Sequence, residues 1–175
     1  MYELLESSYS IISYFYNPNI APEHEYHKRL RDVETFCSMK GLDLYIGDYD
    51  NQCWKKNIFP HRFDGEKSER CLKCYGTRFE NTFDYAAKYK VDVVATTLTI
   101  SPHKDAVKIN GIGNELSRKY GIEFLEADFK KNGGFKKASE LSNGYGFYRQ
   151  NYCGCIYSKM ERAAFTKNKS QHGIT

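Results

Sequence analysis

The sequence predicts a three-layer α/β fold built on a parallel sheet. Strand-like and helix-like stretches alternate along its 175 residues, the order that βαβ units require. Residues 91–100 are rich in β-branched side chains and almost unbroken, which suits a strand covered on both faces. Turn residues punctuate the stretches at Asn17-Pro18-Asn19, Gly41, Ser101-Pro102, Gly121 and Gly133-Gly134.

The first eight residues read as the end of a helix, so the pattern begins one element late: a sheet of this type opens with a strand, and that first strand is missing. Residues 10–16 form a short β-rich run that stops at the Asn-Pro-Asn turn. From Glu23, the spacing of Tyr26, Leu30, Val33 and Cys37 draws one apolar stripe and predicts a helix closed by Gly41. Residues 42–47 predict a second strand. Residues 48–66 show no clear period and contain Pro60 and Gly65, so they are expected to be mostly loop. Leu72, Tyr75, Phe79, Phe83 and Ala86 share a face of the next helix. After the 91–100 strand, Ile109, Ile112 and Leu116 mark a third helix that Gly121 ends. Residues 122–129 predict a fourth strand, and 135–141 a short helical stretch.

One domain over residues 1–165, with a polar tail over 166–175, accounts for the length. Charged residues at 27% and hydrophobic ones at 41% give the profile of a soluble globular chain. The net charge of +4 is compatible with a polyanionic partner. No apolar run reaches membrane-spanning length. Glu3 and Glu6 make the N-terminus acidic, unlike a signal peptide. A cytoplasmic location is therefore expected, where the six cysteines are reduced or metal-bound and the chain is free of disulfides.

Two of those cysteines have an ordinary explanation. Cys37 falls on an apolar helix stripe, and Cys53 sits beside Trp54 without a partner at ligand spacing. The other four come in pairs. Cys71 and Cys74 lie three apart at a predicted helix start, so both thiols point to one side, where the macrodipole, Arg70 and Lys73 favour thiolate. Cys153 and Cys155 flank Gly154, which lets the backbone turn both sulfurs toward one point. Four thiolates close a tetrahedral zinc site or an iron–sulfur cluster, and the single-residue gap of the second pair favours iron–sulfur. Redox dithiols share the Cys-x-x-Cys spacing and remain the alternative.

Beside the second pair runs Tyr148-Arg149-Gln150-Asn151-Tyr152. These are either ordinary surface and core groups or a recognition strip, in which the guanidinium of Arg149 pairs with phosphate, Gln150 reads a base or ribose edge, and the tyrosines stack. Lys104 follows the 91–100 strand, where such sheets bind ligands, although a solvated lysine is the default there. Lys130, Lys131, Lys136 and Lys137 bracket Gly133-Gly134 and are either an RNA-phosphate patch or a wet face.

These pieces together resemble the QueH-type epoxyqueuosine reductases. The matching segments are Phe15-Tyr16-Asn17-Pro18-Asn19-Ile20 with Glu25-Tyr26 and Arg29, and Glu69-Arg70-Cys71-Leu72-Lys73-Cys74. They continue through Thr96-Thr97-Leu98, Ser101-Pro102-His103-Lys104, Ile109-Asn110, Gly113 and Asp128-Phe129-Lys130-Lys131 to Tyr148-Arg149-Gln150-Asn151-Tyr152-Cys153-Gly154-Cys155. The resemblance covers about residues 11–160. It implies a Rossmann-like fold related to nucleotide α-hydrolases, and two-electron reduction of epoxyqueuosine in tRNA, the last step of queuosine biosynthesis. It further implies a [4Fe–4S] cluster with a second iron ion nearby, and an external electron donor. Cys71, Cys74, Cys153 and Cys155 would belong to the metal centre. Tyr148, Tyr152 and His103 are candidate proton donors, and Lys104, Arg149 and Gln150 candidate substrate contacts. Family members open with a strand running into Cys-Cys-Ala-Pro, whereas no cysteine precedes Cys37 here. A shortened member is thus expected, with a truncated inactive homologue or a zinc-stabilised nucleic-acid-binding module as the competing readings.

Overall fold

Apolar periodicity decides most of the architecture, seen here in a computed structural model that describes residues 1–171. A single helical turn, α1 (Tyr2–Leu5), precedes β1 (Ile12–Phe15). Helix α2 (Glu23–Lys40) carries the predicted stripe, burying Tyr26, Leu30 and Cys37, and ends at Gly41 in the left-handed conformation. It leads into β2 (Asp43–Ile46), which pairs with β1 in parallel, Ile12 opposite Asp43 and Phe15 opposite Ile46. Next come α3 (Asn51–Ile58), a 3₁₀ turn (Phe59–His61) and α4 (Glu69–Lys88). Then β3 (Val93–Val94), a second 3₁₀ turn (Thr97–Ile100) and α5 (Ala106–Tyr120) lead to β4 (Glu123–Phe124). Two helices, α6 (Gly134–Gly144) and α7 (Ile156–Gln171), complete the described chain.

The main core lies where α4 and α5 cover the second strand pair, joining Phe79, Phe83, Ile109, Val94 and Phe124. A second cluster of Phe15, Ile20, Tyr26 and Leu30 seats α2 on the first pair. A third, of Trp54, Ile58, Cys74 and Cys155, joins α3, α4 and the segment before α7.

The α/β class and the parallel pairing agree with the sequence, while the strands are shorter than expected. The strands form two separate parallel pairs, β1–β2 and β3–β4. The expected 91–100 strand is two residues long because the chain leaves the ladder after Val94. Thr96 then accepts a hydrogen bond from the Leu98 N–H at 3.2 Å and starts a 3₁₀ turn that buries Thr99 completely. Its β-branched residues fill a turn and a core, not a ladder. The 122–129 strand shortens likewise: Leu125 N–H still reaches Val94 O at 2.9 Å, and beyond it no strand is formed.

Residues 48–66 are not mostly loop. Asp50 caps α3 by accepting from the Cys53 N–H at 2.9 Å, and Trp54 and Ile58, four apart, bury against α4 and Cys155. The predicted tail begins inside α7, which runs on to Gln171; the rest of that stretch lies outside the described residues. No described helix is long and apolar enough to cross a membrane.

Candidate metal centre

The site forms beyond the carboxyl ends of the strands, where parallel sheets place ligands. Residues 17–22 leave β1 and are held from three sides. Arg78 on α4 donates to Asn17 Oδ1 at 2.6 Å, Asn51 on α3 donates to Pro18 O at 2.6 Å, and Tyr49 Oη donates to Ile20 O at 2.7 Å. Against this fixed loop lies Gly154, whose carbonyl accepts from the Ala21 N–H at 2.9 Å.

Arg29 locks the contact. Its side chain pairs with Glu25 one helical turn away at 2.8 Å and donates to Cys153 O at 3.1 Å and Tyr152 O at 3.2 Å. The guanidinium thereby carries the thiol-bearing loop on α2. Apart from its place in the matching segments, Arg29 has no site signal in the sequence; Glu25 and Arg29 at i, i+4 mark only a helix-surface pair.

The first thiol pair lies in the opening turns of α4, with Cys71 and Cys74 both buried. Cys71 Sγ accepts from the Lys67 N–H at 3.3 Å. Cys155 packs with Cys74 in one cluster, and its sulfur accepts from the Ser158 N–H at 3.3 Å at the start of α7. Cys153 is half-buried and lies close enough to influence the ionisation of Cys71, Cys74 and Cys155. Of the two pairs, Cys74 and Cys155 pack in one cluster. All six cysteines are free thiols. Among the described residues, no group of three or more His, Cys, Asp or Glu side chains is arranged to hold a metal ion.

Electrostatics correct one expectation. A helix start and basic neighbours were expected to favour thiolate at Cys71 and Cys74, but burial outweighs them. Burial pushes the Cys71 thiol up, opposed by the Lys67 N–H, and pushes Cys74 up, opposed by Arg78. Cys155 rises to about 12 through burial, with the Ser158 N–H pulling the other way. The helix-end effect fades within a turn and is too small to offset full desolvation of a charge.

The predicted polar residues divide. Lys104 Nζ reaches Cys153 Sγ at 3.6 Å and stands 5.2 Å from the Tyr75 ring centroid, so it belongs to the thiol pocket. Tyr152 Oη donates to Ala21 O at 2.7 Å, and Tyr148 Oη to Glu25 Oε2 at 3.3 Å; both hydroxyls point toward the α2 side of the loop. Burial raises Tyr152 to about 12, with Glu25 adding to it. His103 is exposed on the turn before α5, and only its backbone N–H has a described bond, to Ser101 Oγ at 3.3 Å. Arg149 and Gln150 are exposed and form no hydrogen bond or ion pair with any described residue. The lysines around Gly133-Gly134 are tied up: Lys130 and Lys131 reach Asp128, Lys136 reaches Glu140, and Lys137 reaches Glu3.

Arg70, read in the sequence only as a basic neighbour, is 2% exposed, and its guanidinium takes both carboxylate oxygens of Glu161 at 2.8 and 2.9 Å. Nothing local in the sequence joins them, since 91 residues intervene.

The fold and the site define an α/β protein in which Cys74 and Cys155 pack together beyond the carboxyl end of β1, with Lys104 beside Cys153. A family model described as epoxyqueuosine reductase QueH matches residues 1–161, and the chain belongs to that family. It is 37% identical over 152 residues to the epoxyqueuosine reductase QueH of Thermotoga maritima, a match spanning 85% of this chain and 79% of the relative. With the Haemophilus influenzae protein of the same name it shares 36% identity over 159 residues, covering 90% of this chain and 65% of the relative. The Streptococcus pyogenes protein so named is 33% identical over 162 residues, covering 89% and 64%. The chain therefore spans just under two thirds of the latter two relatives.

Proposed function

We propose that this chain reduces epoxyqueuosine in tRNA to queuosine, using an iron–sulfur centre held by Cys71, Cys74, Cys153 and Cys155. One observation supports the reading: in a chain of the QueH family, Cys74 of one thiol pair packs with Cys155 of the other, far away in sequence. Four thiols are the donor set such a cluster takes, and Arg70, Arg78 and Lys104 stand nearby to offset its negative charge. When bound, a [4Fe–4S] cluster supplies electrons singly at low potential.

Reduction of the epoxide breaks its two C–O bonds, leaves an alkene and releases the oxygen as water. It consumes two electrons from an external reductant and two protons. The chain's own groups bind, orient and protonate. Lys104 Nζ is the charged donor beside Cys153. Tyr148 Oη, bonded to the buried Glu25 carboxylate, is a proton source. Exposed Arg149 and Gln150 meet the RNA, the first by pairing with phosphate and the second by reading a base edge. The buried thiols lose their protons on binding metal, so loading is coupled to proton release. The same reading takes the two parallel pairs as parts of one three-layer, Rossmann-like sheet. Each pair is joined by a helical crossover, α2 or α5, as that fold requires. It also places the protein in the cytoplasm, where thiols stay reduced.

Anaerobic purification followed by iron and sulfide assay tests this, together with nucleoside mass spectrometry of epoxyqueuosine-bearing tRNA after reduction. About four irons per chain, lost on Cys→Ser substitution at any of the four positions, with queuosine formed, are expected. Zinc in place of iron without reduction would instead establish a zinc-stabilised nucleic-acid-binding module, and a metal-free, inert chain an inactive homologue.

A further inference from the structure

A groove of about 800 Å³ runs alongside the thiol loop. Asn151 and Tyr152 form one wall, and Lys159, Arg162, Ala163 and Lys167 on α7 form the other. Positions 159, 162, 163 and 167 follow i, i+3, i+4 and i+8 spacing, so they share one face of the helix. The first and last stand about 12 Å apart along the axis. All three cations are exposed, and none pairs with a carboxylate among the described residues. Glu161, the acid between them in sequence, is turned to the opposite side and held by Arg70 at 2.8 Å. The helix thus sorts its charge, acid toward Arg70 on α4 and base toward the groove, leaving a groove with three cations and no acidic lining residue. Lys159 Nζ lies 6.0 Å from the Tyr152 ring centroid, which ties the cationic row to the strip leading into Cys153.

We propose that this groove is the phosphate track for the RNA strand whose base enters the thiol pocket. Lys159, Arg162 and Lys167 would contact successive phosphates, while Asn151 and the Tyr152 ring face the sugar and base beside them. The inference rests on the tRNA reading and adds the surface that delivers the substrate. Unpaired cations in a row suit a polyanion, because each contact releases a condensed counterion. The lysines around Gly133-Gly134 lack that property, since each already has a carboxylate within 4.0 Å.

The test uses the full, iron-loaded chain and a labelled anticodon stem-loop RNA, with affinity measured from about 50 to about 200 mM salt. For the triple variant Lys159→Gln, Arg162→Gln, Lys167→Gln, the slope of log affinity against log salt should flatten by about 2, and each single change by about 0.7. A charge-matched control, Lys131→Gln, Lys136→Gln, Lys137→Gln, should keep the parent slope. A loosened fold would lower affinity without flattening the slope, so the slope separates contact from stability. If the triple variant keeps the parent slope while the parent reduces RNA-borne epoxyqueuosine, the groove is overturned and the enzymatic reading stands. If the parent neither binds this RNA nor reduces it, both fall together.

Discussion

At Gly154 the backbone takes φ +125°, a conformation that L side chains rarely adopt, and the space around it is closed. A Cβ there would stand 2.9 Å from Arg29 Nη1 and 3.1 Å from Ile20 Cγ1. The same guanidinium holds the carbonyls of residues 152 and 153, so a methyl group would both strain the backbone and push away its anchor. Gly154→Ala should cost about 2–3 kcal/mol by urea unfolding and lower iron content after anaerobic loading. Gly111→Ala, in the exposed middle of α5 with no atom within 4 Å of the new Cβ, should instead stabilise by about 0.5–1 kcal/mol. Equal effects at the two positions would refute this account of the loop. The glycine's turning role was legible from Cys153-Gly154-Cys155 alone, because a one-residue gap between two ligands leaves few backbone solutions. Arg29's role was not, because its partners lie 123 and 124 residues away. Hydroxyl direction was equally hidden: Tyr148 and Tyr152 have the right chemistry for proton donors, but their bonds to Glu25 and Ala21 exist only in three dimensions.

Between elements, the seam of β1 and α4 is made by tyrosines. Tyr14 stacks on Tyr85 with ring centroids 4.4 Å apart and donates to Asn81 Oδ1 at 2.6 Å. Burial, then the neighbouring Tyr16 and Tyr85, raises its pKa from 10.0 to about 12. A phenol whose folded value is raised adds stability in full below the ordinary value of 10.0. It loses that contribution as pH climbs toward about 12, because the unfolded chain ionises first. The sign is fixed: alkali weakens this seam. Tyr14→Phe should cost about 1 kcal/mol at neutral pH through the lost hydrogen bond. The gap between variant and parent should then close as pH rises from 10.0 toward 12. Urea midpoints of both proteins at pH 8 and pH 11 check it; the other 14 of the chain's 15 tyrosines cancel in the difference. Midpoints that fall in parallel would mean that Tyr14 ionises as in water. Helices α2, α4 and α5 were legible because a single apolar stripe of period 3.6 has one reading. Helix α3 was missed because eight residues carry only two buried apolar positions, Trp54 and Ile58, too few to display a period. The strands at 91–100 and 122–129 were drawn too long because β-branched residues also suit a buried turn, and Thr96 and Thr99 serve there.

For the molecule as a whole, the parallel class was readable from element order, whereas the continuity of the sheet was not. Hydrogen bonds between strands depend on where distant segments stop, and β3 and β4 stop after two residues each. Nor was it readable that α7 is held against α4, since the contact that secures it spans 91 residues. Arg70, at the head of α4 beside Cys71, is buried and grips Glu161 with both terminal nitrogens, and its guanidinium stands 5.4 Å from the Tyr157 ring centroid. One ion pair thereby presses the helix that follows Cys155 onto the helix that begins with Cys71 and Cys74. Removing only the carboxylate leaves a guanidinium 2% exposed without its counter-charge, the costly way to break such a pair. Because the Glu161 side chain is 41% exposed, water tempers the penalty, and Glu161→Gln should cost about 2 kcal/mol, short of the full cost for a sealed pair. For a chain of this size that is a fall in Tm of about 4–8 °C. Adding Arg70→Met removes the stranded charge, so the double variant should recover much of the loss, a coupling that a merely local defect lacks. Maleimide labelling of Cys155, mapped by mass spectrometry on the metal-free chain, reports the same event at the pocket. It should speed up in Glu161→Gln, while labelling of buried Cys37 on α2, away from this contact, stays slow. If the single variant unfolds at the parent temperature, or Cys37 and Cys155 speed up together, the pair is not what seats α7 over the thiols.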